Sequence, residues 1–157
     1  MRILPVNIKD AQIITRIKTA AYRDEKKRFG PWKNKDEGPK WYIDEWFNDV
    51  NETKRLIKEY YYFKLVENEE IIGCFWLHDI DDNTIKLEDF CIDPEYQGKG
   101  YGYKTLLAME ELFPLKKKWI FGTPFYSAKN HYLYEKAGYV KVGETAENMV
   151  FLFEKNK

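Results

Sequence analysis

The chain holds one serine, two histidines and two cysteines, and each scarcity removes a class of chemistry. Ser127 is not in a Gly-x-Ser-x-Gly elbow, so a serine-hydrolase triad lacks its nucleophile. His78 and His131 lie far apart in sequence, and sixteen residues separate Cys74 from Cys91, so no zinc-ligand spacing exists. Both cysteines sit in apolar, strand-like runs, where a small buried thiol is expected. An excess of positive charge is also missing. Lys+Arg and Asp+Glu balance at 26 each, so the electrostatic footprint of a nucleic-acid binder is absent and nucleic acid is not expected as a partner. With no signal peptide and no long apolar span, the expectation is a cytoplasmic, reduced protein without a membrane partner. Neither repeats nor low-complexity segments interrupt the 157 residues, which suffice for one domain, residues 1–157, with a real core.

Aromatic residues, by contrast, make up 17% of the chain and cluster in residues 22–63 and 121–139. Most are expected in the core. An excess on loops and short helices would line a pocket for an apolar or cationic substrate.

Residues 2–8 read as a first strand, with Pro5 suited to an edge or bulge. Asp10 can cap a helix in which Ile13, Ile14, Ile17, Ala20 and Ala21 recur at helical spacing to about Tyr22, and the charged run at 23–28 ends it. Gly30-Pro31 and Gly38-Pro39 punctuate a loop. Trp41, Ile43, Trp46, Phe47 and Val50 then suggest a second helix, with further helix through Leu56. Residues 60–66 and 71–78 are rich in β-branched and aromatic side chains and flank a hairpin turn. After a turn at 79–83 come a strand at 85–92, a helix at 104–113 stopped by Pro114, and a short strand at 119–121. Residues 130–137 read as a helix closed by Gly138, followed by strands at 139–142 and 149–154. The predicted order is βααβββαβαββ, a mixed α/β fold.

The junction between the strand at 85–92 and the helix at 104–113 is the most informative stretch. Gly98, Gly100 and Gly102 let the backbone turn with no Cβ in the way, and no proline between 97 and 102 removes an N–H. Free N–H groups at the positive end of a helix form an anion cradle. Two better-known phosphate loops fail on spacing. In a Walker A loop the lysine follows glycine, whereas Lys104-Thr105 follows Tyr103. A dinucleotide fingerprint starting at Gly98 needs glycine or alanine where Tyr103 stands.

What remains is Gln97-x-x-Gly100-x-Gly102 after Leu87-Glu88-Asp89-Phe90-Cys91-Ile92-Asp93-Pro94. This resembles the acetyl-CoA loop of the GNAT N-acetyltransferases, and Tyr134-x-x-x-Gly138-Tyr139 resembles the family's second signature. The element order extends the resemblance from residue 2 to residue 154. It implies a central, mostly antiparallel sheet flanked by helices and acetyl-CoA as cofactor, its pyrophosphate wrapped by the amides of Gln97, Gly98, Lys99, Gly100, Tyr101 and Gly102. It further implies that Phe90 and Ile92 offer backbone groups to the pantetheine amides, with the Cys91 N–H near the oxyanion.

Tyr134 then occupies the family's general-acid position, where a phenol can protonate the departing thiolate. An attacking amine must be neutral, and Glu88, on the strand before the cradle, is the leading group to remove its proton. Strand alternation places Glu88 and Asp89 on opposite faces. Many family members carry asparagine where Ser127 stands. Ser127 and Asn130 are both assigned to the pantetheine arm or the adenosine phosphate region, with helix capping as the alternative. His131 is expected to be a solvated polar residue. Specificity is expected in residues 22–50, which mix Phe29, Trp32, Trp41 and Trp46 with Asp24, Glu25, Asp36 and Glu37. A small cationic amine would suit that mixture through carboxylate pairing and cation–π contact, with alternating charges on an exposed loop as the alternative.

The resemblance implies an N-acetyltransferase acting on the primary amine of a small molecule, as monomer or homodimer, without metal. The rivals are another acyl-CoA or a protein amine as substrate, and a non-catalytic acyl-CoA-binding module.

Overall fold

In the computed structural model, which describes residues 1–34 and 36–157, the alternating strands β2 (Tyr61–Glu67), β3 (Glu70–Asp79) and β4 (Thr84–Ile92) pair antiparallel in sequence order after β1 (Arg2–Pro5). Asn68 and Glu69 join β2 to β3 with φ of 47° and 64°, the left-handed pair whose twist matches the strands on either side. Pro5 ends the edge strand, as expected. Beyond β4, the sheet continues through β5 (Lys118–Pro124), β7 (Val150–Asn156) and β6 (Val140–Thr145), giving the order β1-β2-β3-β4-β5-β7-β6. Among the described residues only the β4–β5 neighbours are parallel, so the sheet is mixed and mostly antiparallel.

Helices cover both faces. On one, α1 (Ala11–Phe29) and α3 (Val50–Glu59) bury Ile14, Ala21 and Leu56 against Tyr62, Cys74 and Cys91. On the other, α4 (Tyr101–Leu112) and α5 (Ala128–Lys136) bury Leu106, Met109 and Tyr134 against Phe75, Leu77, Trp119 and Phe121. Removing a large apolar side chain such as Ile14, Leu56, Leu106 or Phe75 from water stabilises the fold by roughly 1.5–3 kcal/mol.

Four differences from the sequence expectation bear on the site. First, α1 passes Tyr22 and runs to Phe29. Its charged run does not end it, because Arg28 pairs with Asp24 one turn earlier and basic residues suit the negative end of a helix. Gly30-Pro31 stops it instead. Second, the helix expected at Trp41 is only α2 (Lys40–Ile43) plus a 3-10 turn at Trp46–Asn48, broken where Glu45 adopts φ of 45°. Third, α4 begins at Tyr101 rather than 104, so the glycine loop itself supplies the first helical turn. Fourth, Asp10 makes no side-chain cap to α1. Its carboxylate accepts from the Asn7 amide (2.8 Å) and from Lys64 Nζ (2.6 Å).

Candidate active site

Strands β4 and β5 pair over three residues, from Thr84↔Lys118 to Lys86↔Ile120, and then diverge. Past that point β4 is paired only to β3 and β5 only to β7, so two backbone edges face one another across a gap. Two cavities open on it. One of about 390 Å³ runs between β4, the glycine loop and α5, and the other, of about 770 Å³, lies between β5, β7, α1 and the segment at 40–48 that holds α2 and the 3-10 turn. Tyr22, Glu88, Phe121, Gly122, Pro124 and Tyr126 line both, so the cavities meet where the strands part.

The glycine loop forms the far wall of the smaller cavity. Gly98 and Gly100 take φ of 75° and 82°, a region that an L side chain enters only with strain. Among the described residues no acceptor takes up the amide N–H groups of residues 98–103, at the N-terminus of α4, whereas the Gln97 amide, expected in the cradle, already donates to the Pro94 carbonyl (3.3 Å). Such a row of unpaired donors at a helix N-terminus suits a pyrophosphate. Gly102 sits inside the helix, and a Cβ there would come within 3.0 Å of Leu133 on α5. Gln97 donates to the Ile92 carbonyl (2.9 Å) and accepts from Lys129 Nζ (2.9 Å), tying the end of β4 to the loop and α5. The Lys99 side chain folds back onto the Glu95 carbonyl (2.9 Å), and Lys99 is not among the residues that line the cavity.

Tyr134 sits 8% exposed on α5, its ring centroid 4.3 Å from that of Phe121. Tyr134 lines the smaller cavity, and its hydroxyl has no hydrogen-bond partner among the described residues. Burial, aided by the charges that Cys91, Glu25 and Asp89 can carry, pushes its pKa well above the usual phenol value. The group therefore stays a donor at neutral and alkaline pH. Ser127 Oγ does not cap α5; it donates to Glu25 on α1 (2.7 Å). Asn130 lines the same cavity in the first turn of α5. His131 is half-buried rather than solvated as expected. Its Nε2 lies 2.8 Å from the Pro124 carbonyl and its ring packs against Phe151.

The expectation that Glu88 and Asp89 face opposite ways is overturned. Trp76 pairs with Asp89 and Leu77 with Leu87, which leaves Glu88 as an extra, bulged residue. One extra residue resets the alternation, so both carboxylates lie on the α1 side and both border the gap. They differ in company. Glu88 meets His78 Nε2 and Lys86 Nζ, each at 2.7 Å, at the half-open side of the bulge. Asp89 is 3% exposed. Its Oδ1 accepts from Tyr22 (2.7 Å) and Cys91 Sγ (3.3 Å), and fully buried Lys18 lies 3.7 Å from Oδ2.

The structure thus brings Glu88, Phe90, Cys91, Ile92, the glycine loop, Ser127, Asn130 and Tyr134 around one cavity. Sequence reasoning missed Tyr22, Tyr126 and the buried Lys18–Asp89 pair. Tyr22 and Lys18 lie on α1, at i and i+4, and no local pattern says that this face meets a strand 67 residues away. In the segment expected to set specificity, Trp41 and Trp46 line the larger cavity, whereas Glu25 borders the smaller one and Asp24 is held by Arg28.

A model of the acetyltransferase (GNAT) family matches residues 19–139. Comparison of the sequence with curated proteins finds no match. Among solved structures, the chain is similar in fold to the PaiA N-acetyltransferase of Thermoplasma acidophilum in complex with coenzyme A, at 18% identity and TM-score 0.79, over 99% of this chain and 98% of that one. It is similar to yncA of Salmonella typhimurium, solved with its cofactor acetyl-CoA, at 17% identity and TM-score 0.70, over 99% and 93%. It is also similar to the spermidine N-acetyltransferase of Vibrio cholerae in complex with CoA and spermine, at 17% identity and TM-score 0.72, over 99% and 94%.

Proposed function

Because this chain belongs to the GNAT acetyltransferase family, we propose that it transfers the acetyl group of acetyl-CoA to the primary amine of a small molecule. The observation that carries this reading is the meeting of the two cavities at the β4–β5 gap, with an unpartnered phenol on one side and a carboxylate on the other. When bound, acetyl-CoA supplies an activated thioester. The amides of residues 98–103 hold its pyrophosphate, and the open edge of β4 at Phe90 and Ile92 pairs with the pantetheine arm like an added strand. The Ile92 carbonyl has a second lone pair beyond the one that Gln97 uses. The Cys91 N–H, expected near the oxyanion, faces β3 instead. Cys91 pairs with Cys74, and the Asp93 amide two residues on donates to the Ile72 carbonyl on β3, so Phe90 and Ile92 are the residues that turn their backbone groups to the gap. Ser127 and Asn130 border the pantetheine arm.

Glu88 takes the proton of the attacking amine, directly or through a water, and Tyr134 delivers a proton to the departing sulfur. Cytoplasmic residence belongs to the same proposal, supported by two buried, unpaired thiols; no described helix is long and apolar enough to cross a membrane. The test is thiol release from acetyl-CoA in the presence of a panel of primary amines, with calorimetry of acetyl-CoA binding alongside. Amine-dependent release supports the reading. Tight acetyl-CoA binding without release for any amine overturns it in favour of a binding module.

A further inference from the structure

The larger cavity has aromatic walls and no spare acid. Tyr22, Trp41, Trp46, Phe47 and Tyr126 face it, with Trp41 and Tyr126 stacked at 6.4 Å and Tyr22 and Phe47 at 4.6 Å. Such walls suit a flat apolar body and equally attract a cation over the ring faces, so the rings alone do not choose between an aromatic amine and a polyamine.

Charge decides between possible acceptors. Two carboxylates line the cavity, Glu88 and Glu154, and both are engaged. Glu88 is held by Lys86 and His78, and Glu154 by Lys118 at 2.7 Å. Glu88, at the strand gap, serves the reacting nitrogen, so a second ammonium deeper in the cavity would meet only Glu154, already neutralised, and would lie among lysines. Of the three lysines that line the cavity, Lys86 and Lys118 are paired, whereas Lys26 has no carboxylate within salt-bridge distance among the described residues. Its ammonium donates to the Tyr42 carbonyl and lies 4.4 Å from the centroid of the Tyr42 ring and 5.3 Å from that of Phe47. Burial lowers its pKa, with Glu45 opposing and Arg23 adding to that effect, so an anion delivered to it would restore what burial removes. Lys26 stands one helical turn beyond Tyr22 on α1, further into the cavity from the point where the two cavities meet.

Resting on the proposed amine acetylation, we propose that the acceptor is an aromatic primary monoamine that carries a carboxylate, its ring against the aromatic walls and its carboxylate on Lys26. This differs from the ligand of the spermine-bound relative: a second positive charge is disfavoured here and a negative one is favoured.

The test compares kcat/KM, by thiol release, for L-phenylalanine, 4-(2-aminoethyl)benzoate, phenethylamine and spermidine. The two carboxylated amines place the anion near to and far from the nitrogen. The expected result is that at least one of them exceeds phenethylamine and spermidine by about tenfold or more, the size of one charge-assisted contact. Lys26→Met should raise KM for that acceptor about tenfold more than for phenethylamine, at unchanged acetyl-CoA affinity, which shows the variant to be folded. Trp41→Ala should weaken aromatic acceptors together. Spermidine equal to or better than the aromatic amines overturns the proposal, as does a carboxylated pair no better than phenethylamine or an unchanged KM ratio in Lys26→Met. Absence of release with every amine, despite acetyl-CoA binding, instead overturns the acetyltransferase reading itself.

Discussion

The Tyr139 amide donates to the Tyr134 carbonyl across 3.0 Å, and this bond ties the proposed acid to the end of its helix. Gly138, at φ of 91°, lets the chain reverse, and its own amide reaches the Glu135 carbonyl at 3.0 Å. The two bonds are the Schellman pattern, and Tyr139 then packs beneath Phe121 beside Tyr134. The spacing Tyr-x-x-x-Gly-Tyr is thus a helix stop that fixes where the phenol stands.

Replacing Gly100 by valine forces a β-branched side chain into φ of 82° at the N-cap of α4. A built Cβ meets nothing within 4 Å, so the damage is to backbone geometry rather than packing. Acetyl-CoA affinity should fall at least tenfold in Gly100→Val by calorimetry and much less in Gly100→Asn, since asparagine tolerates this region. Equal affinity in a folded valine variant would show that the loop amides do not hold the coenzyme.

Tyr134→Phe keeps the ring against Phe121 and Phe153 and removes only the hydroxyl. Turnover should drop by about 10²–10⁴-fold, the range of one general acid, while the dissociation constant for acetyl-CoA stays nearly constant. Because burial raises the pKa, the phenol remains protonated up to and beyond its ordinary value of about 10. The wild-type profile should therefore show no alkaline decline from this group below that pH. A Tyr134→Phe enzyme with wild-type turnover leaves Tyr134 as a packing residue.

Lys18 and Asp89 neutralise one another inside the protein, with neither Lys18 Nζ nor Asp89 Oδ2 in a hydrogen bond. Removing one partner strands a buried charge, so Lys18→Met and Asp89→Asn should each cost about 3–5 kcal/mol in urea unfolding. The double change should cost clearly less than the sum of the two. Single-variant losses below about 1 kcal/mol, the scale of an exposed pair, would mean that the charges are not held against each other in the folded state.

The sequence revealed those parts of the site whose geometry is local. The cradle depends on glycines at alternate positions, and the helix stop on Gly138, so both can be read without knowing what lies opposite. The bulge at Glu88 could not be read. Leu87, Glu88, Asp89 and Phe90 look like any alternating strand, and the two-against-one count is set by how Trp76 and Leu77 on β3 register with them. The same holds for α1. Its composition gives the helix, but Tyr22 and Lys18 become site residues only because the helix packs across β4, where Asp89 waits. The helix end differs for another reason: Arg28 pairs with Asp24 within the helix, while Arg23 reaches Glu45 and Glu25 accepts from Ser127, so these charges hold the helix on past Tyr22, which lines both cavities.

The bulge also frames the last prediction. Glu88→Gln keeps the shape of the side chain but neither carries charge nor takes a proton, and it leaves His78 and Lys86 facing an amide instead of a carboxylate. If Glu88 receives the amine proton, turnover should fall most at low pH, where solution supplies little neutral amine. The gap from wild type should close as pH rises towards the pKa of the acceptor, because the base is then least needed. A structural role would lower the whole curve by one factor at every pH, and His78→Gln serves as the control, since it removes one partner of Glu88 without removing the carboxylate. A Glu88→Gln profile parallel to wild type and at the same height would take Glu88 out of the chemistry. The amine proton would then pass to Asp89 through Tyr22, which borders both cavities and whose hydroxyl already donates to that carboxylate at 2.7 Å.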